Sequence, residues 1–312
     1  MKKRLISALL TAAMVAVPFA SVAEATSGAT TIVGTPREET LVVEGLDGVI
    51  SNPGQSNPYM SGTNMNRGLH QLVFSNMWEM DTIQGTQIPD LAAKMPEALN
   101  DDYTSFKITL TEGIKWSDGE DFDAEDVVFT INELIRLKDQ IGYGNTLANM
   151  VESVEYVDKY ELIVNTVDAR PRLSEDWGVT VWGNGFRVIP EHYWSEHDLT
   201  TDPWEDPIGT GPYKLSEYDP NGYWFLYELR EDAEYSDVAV LTGKVPEPKY
   251  VLFTAYGTEE KKTMAMMNNE VDLLCDISPE AEGKIRFNEL PVELQEFFGE
   301  FPSESYVVRW VD

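Results

Sequence analysis

Residues 113–129, GIKWSDGEDFDAEDVVF, constrain the fold more than any other stretch of the chain. With Glu112 directly before them they gather seven acidic side chains. Three roles compete for such a cluster: a cation loop, a catalytic carboxylate pair, or a turn that starts a helix. A calcium loop of the D-x-D-x-D-G kind needs glycine at its sixth position and a bidentate glutamate at its twelfth. Counted from Asp121, those positions hold Asp126 and Asn132; counted from Asp118, Gly119 falls second. The metal pattern fails. Paired carboxylates do acid–base work when their surroundings drive their pKa values apart, usually through burial. This run is short and polar and is expected to be wet, so no desolvated pair is expected in it.

The third role fits. Residues 105–116 alternate, with Phe106, Ile108 and Leu110 on one face and Lys107 and Thr109 on the other, as in a half-buried strand. Asp118 and Gly119 then supply a tight turn. Asp123 sits where a helix N-cap would, with Asp126 three residues on, as in a capping box. Glu125 and Asp126 lie at the positive end of the helix dipole, Arg136 and Lys138 near its negative end. Val127, Val128, Ile131, Leu134 and Ile135 form one apolar face. The acids read as architecture: strand, turn, capped helix.

Further elements follow the same rules. Residues 40–48 read as a buried strand ending in a turn, and 51–66 as a loop dense in Ser, Asn, Gly and Pro. The apolar spacing of 67–80 predicts a helix. Hairpins are expected at 151–167, turning at Asp158-Lys159, and at 211–229, turning at DPNG. Residues 249–256 read as a strand. Helices are expected from 258, capped by Thr258, and from 278, capped by Ser278 with Pro279 in the first helical position. The mixture is α/β with an α+β portion.

Lys2, Lys3 and Arg4 precede an apolar stretch, residues 5–17, that is too short to span a bilayer comfortably. Pro18 and the triplet Ala23-Glu24-Ala25 complete a secretory signal peptide, with cleavage expected near Ala25. No cysteine lies near that site, so no lipid anchor is expected, and no later run is apolar enough for a membrane span. The expected compartment is the periplasm. A net charge of −31 excludes nucleic acid and anionic membrane as partners, because phosphates would be repelled. Cys275, the one cysteine, stands in an apolar strand-like run and reads as a buried thiol. His192 and His197 lack the H-E-x-x-H spacing and His70 stands on the expected helix, so neither metal nor any other cofactor is expected.

Residues 113–129 resemble the signature of the extracytoplasmic solute-binding proteins that serve peptide and nickel ABC transporters. That signature runs G-[VI]-K-W-S-D-G and then Pro-Phe-Thr-Ala-Glu-Asp-Val-Val-Phe; here Asp121 replaces the Pro and Asp123 the Thr. NPYM (57–60), IPEHYW (189–194), IGTGPYKL (208–215) and NNEVDLL (268–274) are similar to further family motifs, in the family's order. In the last of these Asn269 replaces a glycine, and Asn is the next best left-handed helix cap.

The resemblance implies an α/β, periplasmic-binding-protein-like fold of type II, with an extra inserted domain and the second lobe largely absent. Residues 1–25 would be the signal peptide, 26–66 and 173–303 lobe I, 67–172 the inserted α+β domain, and 304–312 the start of a crossover into the second lobe. It implies a monomeric, non-enzymatic carrier of an oligopeptide or oligosaccharide that docks on ABC permease subunits without inserting stably in the membrane. By region, it places Asn64, Met65, Asn66, Tyr143, Trp182, Tyr306 and Arg309 against the ligand, and aromatic side chains suit either cargo. Two rivals are a hydrolase using acids such as Asp118 and Glu120, which needs a buried carboxylate with a shifted pKa, and a calcium-dependent extracellular module.

Overall fold

The computed structural model describes residues 29–45, 48–62, 67–81, 84–177 and 186–274. In chain order its strands are β1 (Thr40–Glu44), β2 (Trp78–Asp81), β3 (Thr86–Pro89), β4 (Glu97–Ala98) and β5 (Ser105–Thr109), then β6 (Val151–Asp158), β7 (Glu161–Thr166), β8 (Tyr213–Tyr218), β9 (Trp224–Leu229) and β10 (Tyr250–Thr254). The helices are α1 (Ala124–Arg136), α2 (Gly144–Met150), α3 (Leu173–Trp177), α4 (Glu191–Trp194), α5 (Asp237–Thr242) and α6 (Glu259–Met267). The expected helix from 278 and Cys275 lie outside the described residues.

Two four-stranded sheets carry the fold, in the orders β1-β10-β9-β8 and β4-β5-β7-β6, beside a small β2-β3 hairpin. In the first sheet, β1 runs parallel to β10, with Thr40 opposite Tyr250 and Glu44 opposite Thr254. Its apolar, β-branched residues Val42 and Val43 are buried, as a strand covered on both faces requires. The outer side of β1 is closed by residues 271–274: the Glu44 N–H donates to the Leu273 carbonyl at 2.9 Å and the Val42 N–H to the Asp272 carboxylate at 2.7 Å. Arg37 clamps that carboxylate through two bonds, of 2.6 and 3.0 Å. Asn269, after α6, takes the left-handed conformation expected of it, at φ 60°.

In the second sheet, the alternation of β5 is realised: Phe106 and Ile108, with Leu110 just beyond, are buried. The β6–β7 turn falls at Lys159-Tyr160, one residue later than expected. α1 packs on this sheet through Val127, Ile131 and Leu134, with Val128 and Ile135 half-buried at the margins. Its N-terminus carries the expected capping box: the Asp123 carboxylate accepts from the Glu125 N–H at 2.8 Å, and the Asp126 carboxylate accepts from the Asp123 N–H at 3.1 Å.

The expectation that the whole acidic run is wet fails at one residue. Asp126 is buried, while Glu112, Asp118, Glu120, Asp121 and Glu125 are exposed. Besides the Asp123 N–H, the Asp126 carboxylate accepts from the Trp116 indole N–H at 2.9 Å and the Glu191 N–H at 2.8 Å. One side chain thus joins the signature turn, the start of α1 and the start of α4. Burial outweighs these bonds and pushes its carboxyl up to about 6. The exposed acids serve the surface: Asp121 pairs with Lys159 at 2.7 Å and Lys115 at 3.1 Å.

The turn is also stitched to the GTG motif. The Ser117 N–H donates to the Gly209 carbonyl at 2.9 Å, and the buried Arg230 guanidinium donates to the carbonyls of Lys115, Trp116 and Gly211 at 3.0–3.3 Å. Nearby, the Thr210 hydroxyl donates to Ser75 (2.7 Å), whose hydroxyl donates to the Asp237 carboxylate, and Asp90 accepts from the Asn76 N–H at 3.0 Å. Asp90 and Asp237 are both buried, and burial pushes both carboxyls up, that of Asp90 further because of the Asp237 charge beside it.

The helix expected over 67–80 shrinks to one π-helical turn, Leu69–Val73, and Trp78 already belongs to β2. The cause is packing. A Cβ on Gly209 would sit 2.0 Å from the Val73 carbonyl oxygen, and one on Gly211 would sit 2.3 Å from that of Leu72. The GTG backbone lies flush against the turn and leaves no room for a longer helix.

Asp126→Ala would leave three N–H donors without their acceptor. At about 1–3 kcal/mol for each buried group left unmade, a loss of about 3 kcal/mol or more is expected in a urea titration. Glu120→Ala, on an exposed residue of the same run, is expected to stay within about 0.5 kcal/mol. Equal losses would contradict the division between the buried acid and the wet ones.

Candidate binding face

The π-helical turn opens on Gly68, whose φ of +99° is open to glycine and strained for other residues. A Cβ there would also sit 2.5 Å from the Tyr227 ring and 2.8 Å from that of Phe253. The turn buries Leu69 and Val73 and leaves His70 half-buried. Single π turns are frequent where a side chain must be aimed off the regular helical track.

His70 is aimed at Arg187. The Arg187 guanidinium nitrogen Nη2 lies 2.6 Å from His70 Nδ1. Arg187 belongs to the run FRVIP, which is held from both sides. Tyr59, of the NPYM motif, accepts from the Arg187 N–H at 2.9 Å and donates to the Arg187 carbonyl. Asn57 anchors that motif, donating to the carbonyls of Leu199 and Asp202 at 2.9 and 2.8 Å and accepting from the Tyr59 N–H at 2.9 Å. On the other side, the Ile189 N–H donates to the Thr130 hydroxyl of α1 at 3.0 Å, and Glu191 reaches Asp126.

Arg187 is 2% exposed. A buried guanidinium holds its charge only with partners, and the charges and dipoles around it are Glu79, Tyr59, Asp90 and Tyr143. Burial pushes the His70 imidazole down from the ordinary 6.5 to about 3, and the adjacent guanidinium adds to the fall. His70 is therefore neutral at any physiological pH.

Tyr143 stands just before α2, half-buried, with its ring 6.2 Å from that of Phe186, which meets Trp177 edge-on at 5.2 Å. Burial pushes its phenol up. Of the side chains expected against a ligand, Tyr143 is the one among the described residues. Asn64, Met65, Asn66, Trp182, Tyr306 and Arg309 lie outside them. Among the described residues, His70 meets Arg187, and Tyr143 packs on Phe186, the neighbour of Arg187 in the chain.

Sequence reasoning weighed His70 only as a metal ligand and missed both Arg187 and the role of Tyr59. The signal for Arg187 was present, since a lone charge inside FRVIP is a charge that needs a buried partner. Among the described residues, no three His, Cys, Asp or Glu side chains gather as a metal site, and no helix is long and apolar enough to cross a membrane.

Residues 86–296 match the family described as bacterial extracellular solute-binding proteins, family 5 Middle. The chain is 24% identical over 210 residues to a probable peptide-binding protein, YejA, of Agrobacterium fabrum, covering 61% of this chain and 32% of that one. It is 25% identical over 190 residues to the nickel-binding periplasmic protein of Escherichia coli, covering 61% of this chain and 33% of that one. The chain thus spans about a third of the length of these relatives. Among solved structures, it shares the fold of the mannohexaose-bound periplasmic oligopeptide-binding protein of Thermotoga maritima, with a TM-score of 0.65 and 21% identity over 78% of this chain and 42% of that one.

The depressed His70 pKa fixes the sign of one pH effect. Between about 3 and 6.5 the unfolded chain binds a proton at this residue that the folded chain refuses, so its contribution to stability is lost as pH falls through that window. His70→Gln is expected to lose less melting temperature than the parent between about pH 6.5 and about pH 4. Parallel curves in a thermal melt series would show that His70 is not held neutral.

Proposed function

Because the chain belongs to the family-5 bacterial extracellular solute-binding proteins, a family of ABC-importer components, we propose that it captures an oligopeptide outside the cytoplasmic membrane and delivers it to the permease subunits. The observation that supports this reading is the contact of His70 with the buried Arg187 beside the Tyr143–Phe186 ring pair. Aromatic walls with a few fixed polar groups are what a solute site offers. A relative described as peptide-binding supports the peptide, and the mannohexaose-bound neighbour makes oligosaccharide the alternative cargo.

On this reading the first sheet belongs to a lobe built from 26–66 and 173–303, and the second to an insertion, 67–172. By the resemblance, Asn64, Met65, Asn66, Tyr143, Trp182, Tyr306 and Arg309 are the residues proposed to contact the ligand. The protein acts as a monomer in the periplasm after signal-peptide cleavage near Ala25, and it does no covalent chemistry. The one buried acid of the signature run supports that last point, since its carboxylate is engaged by three N–H donors.

The test is a thermal-shift and calorimetric screen of the full chain against peptides of graded length, linear oligosaccharides and nickel ion. A peptide at about a hundred times its Kd is expected to add about 2.7 kcal/mol of stability. Tyr143→Ala and Trp182→Ala are each expected to weaken that binding about ten-fold, or about 1.4 kcal/mol. A screen in which no peptide binds, or in which nickel alone does, would overturn the peptide assignment.

A further inference from the structure

We infer that Arg187 fixes His70 as an imidazole carrying its proton on Nε2, which makes His70 a hydrogen-bond donor to an uncharged oxygen of the bound solute and closes it to metal. This rests on the binding reading above for the solute, but the state of the ring follows from the contact alone. Guanidinium offers only N–H donors and keeps its proton at every accessible pH. At 2.6 Å from Arg187 Nη2, His70 Nδ1 must therefore accept. A neutral imidazole has one acceptor and one donor nitrogen, so the proton lies on Nε2.

Three features hold that arrangement in place. The Arg187 backbone is gripped at both its N–H and its carbonyl by the Tyr59 hydroxyl. The His70 backbone sits on the turn that Gly209 and Gly211 press against. The charged and titratable groups that face Arg187 are Glu79, Asp90, Tyr59 and Tyr143, and Arg187 itself is the charge that faces His70.

The consequence is a choice of solute chemistry. A metal ion needs a nitrogen lone pair. The Nδ1 lone pair is taken by the guanidinium, and binding at Nε2 would force the proton onto Nδ1, where two donors would face each other. Nε2–H instead suits a peptide carbonyl or a sugar hydroxyl. It stays a donor across the pH range in which an ordinary histidine would titrate.

The experiment is nitrogen-detected NMR of the full chain labelled in histidine. The expected result is one Nε2–H tautomer at His70, unchanged from about pH 8 to about pH 5. Adding nickel ion alone is expected to leave the His70 signals at full intensity. An Nδ1–H tautomer, titration near 6.5, or selective broadening by nickel would each overturn the inference.

For the solute, His70→Phe is expected to weaken the tightest peptide or oligosaccharide of the screen about ten-fold, and His70→Gln, which keeps an N–H donor, to recover part of that loss. Unchanged affinity in His70→Phe would overturn the donor role. If no solute binds while the NMR pattern holds, the binding reading fails and the tautomer assignment stands.

Discussion

The Asp126 carboxylate receives the indole N–H of Trp116, the backbone N–H of its own helix cap and the first N–H of α4. Much of the described structure hangs on that meeting point. Trp116 opens the signature turn, which Arg230 and Gly209 fasten to the GTG motif, and the GTG backbone in turn shapes the turn that carries His70. Glu191 ends the run that carries Arg187. Both halves of the His70–Arg187 contact are thus positioned through one buried acid on α1. A buried charge is costly unless its hydrogen bonds are complete, so the geometry around it has little freedom to relax.

The two ionisable side chains at either end of this chain of contacts pull stability in opposite directions. Asp126 is held above its ordinary value, so between 3.8 and about 6 the folded form keeps a proton that the unfolded form gives up, and stability falls as pH rises through that window. His70, held below its ordinary value, contributes a slope of the reverse sign from about 3 to 6.5. The windows overlap, and in the overlap the two effects offset each other. The buried Asp90 and Asp237 carboxyls, also pushed up, add to the Asp126 side.

What was legible in the sequence was local. The capping box at Asp123 and Asp126, the apolar face of α1, the alternation of β5, the DPNG hairpin and the left-handed Asn269 each depend on residues within a few positions of one another, and each is realised. The failures have a different origin. Residues 67–80 carry helical spacing, but the space for a helix is taken by glycines about 140 residues further on. Asp126 looks like its neighbours in sequence, and only Trp116 and Glu191 distinguish it, the latter from 65 residues away. His70 gave no hint of its protonation state because its partner is 117 residues distant. The His70–Arg187 contact was therefore not legible, because no local pattern joins its two ends.

The parallel pairing of β1 with β10 carries a cost in time. Its partners are about 210 residues apart, and the entropy of closing so long a loop must be met before the pairing returns anything. Contacts of this separation belong to slow-folding topologies. Hairpins such as β6–β7 and β8–β9 can form early and locally, but the first sheet stays incomplete until the chain through Thr254 is available. A polypeptide wired in this way leaves its apolar first strand unpaired, and its edge open to other chains, until the partner strand arrives.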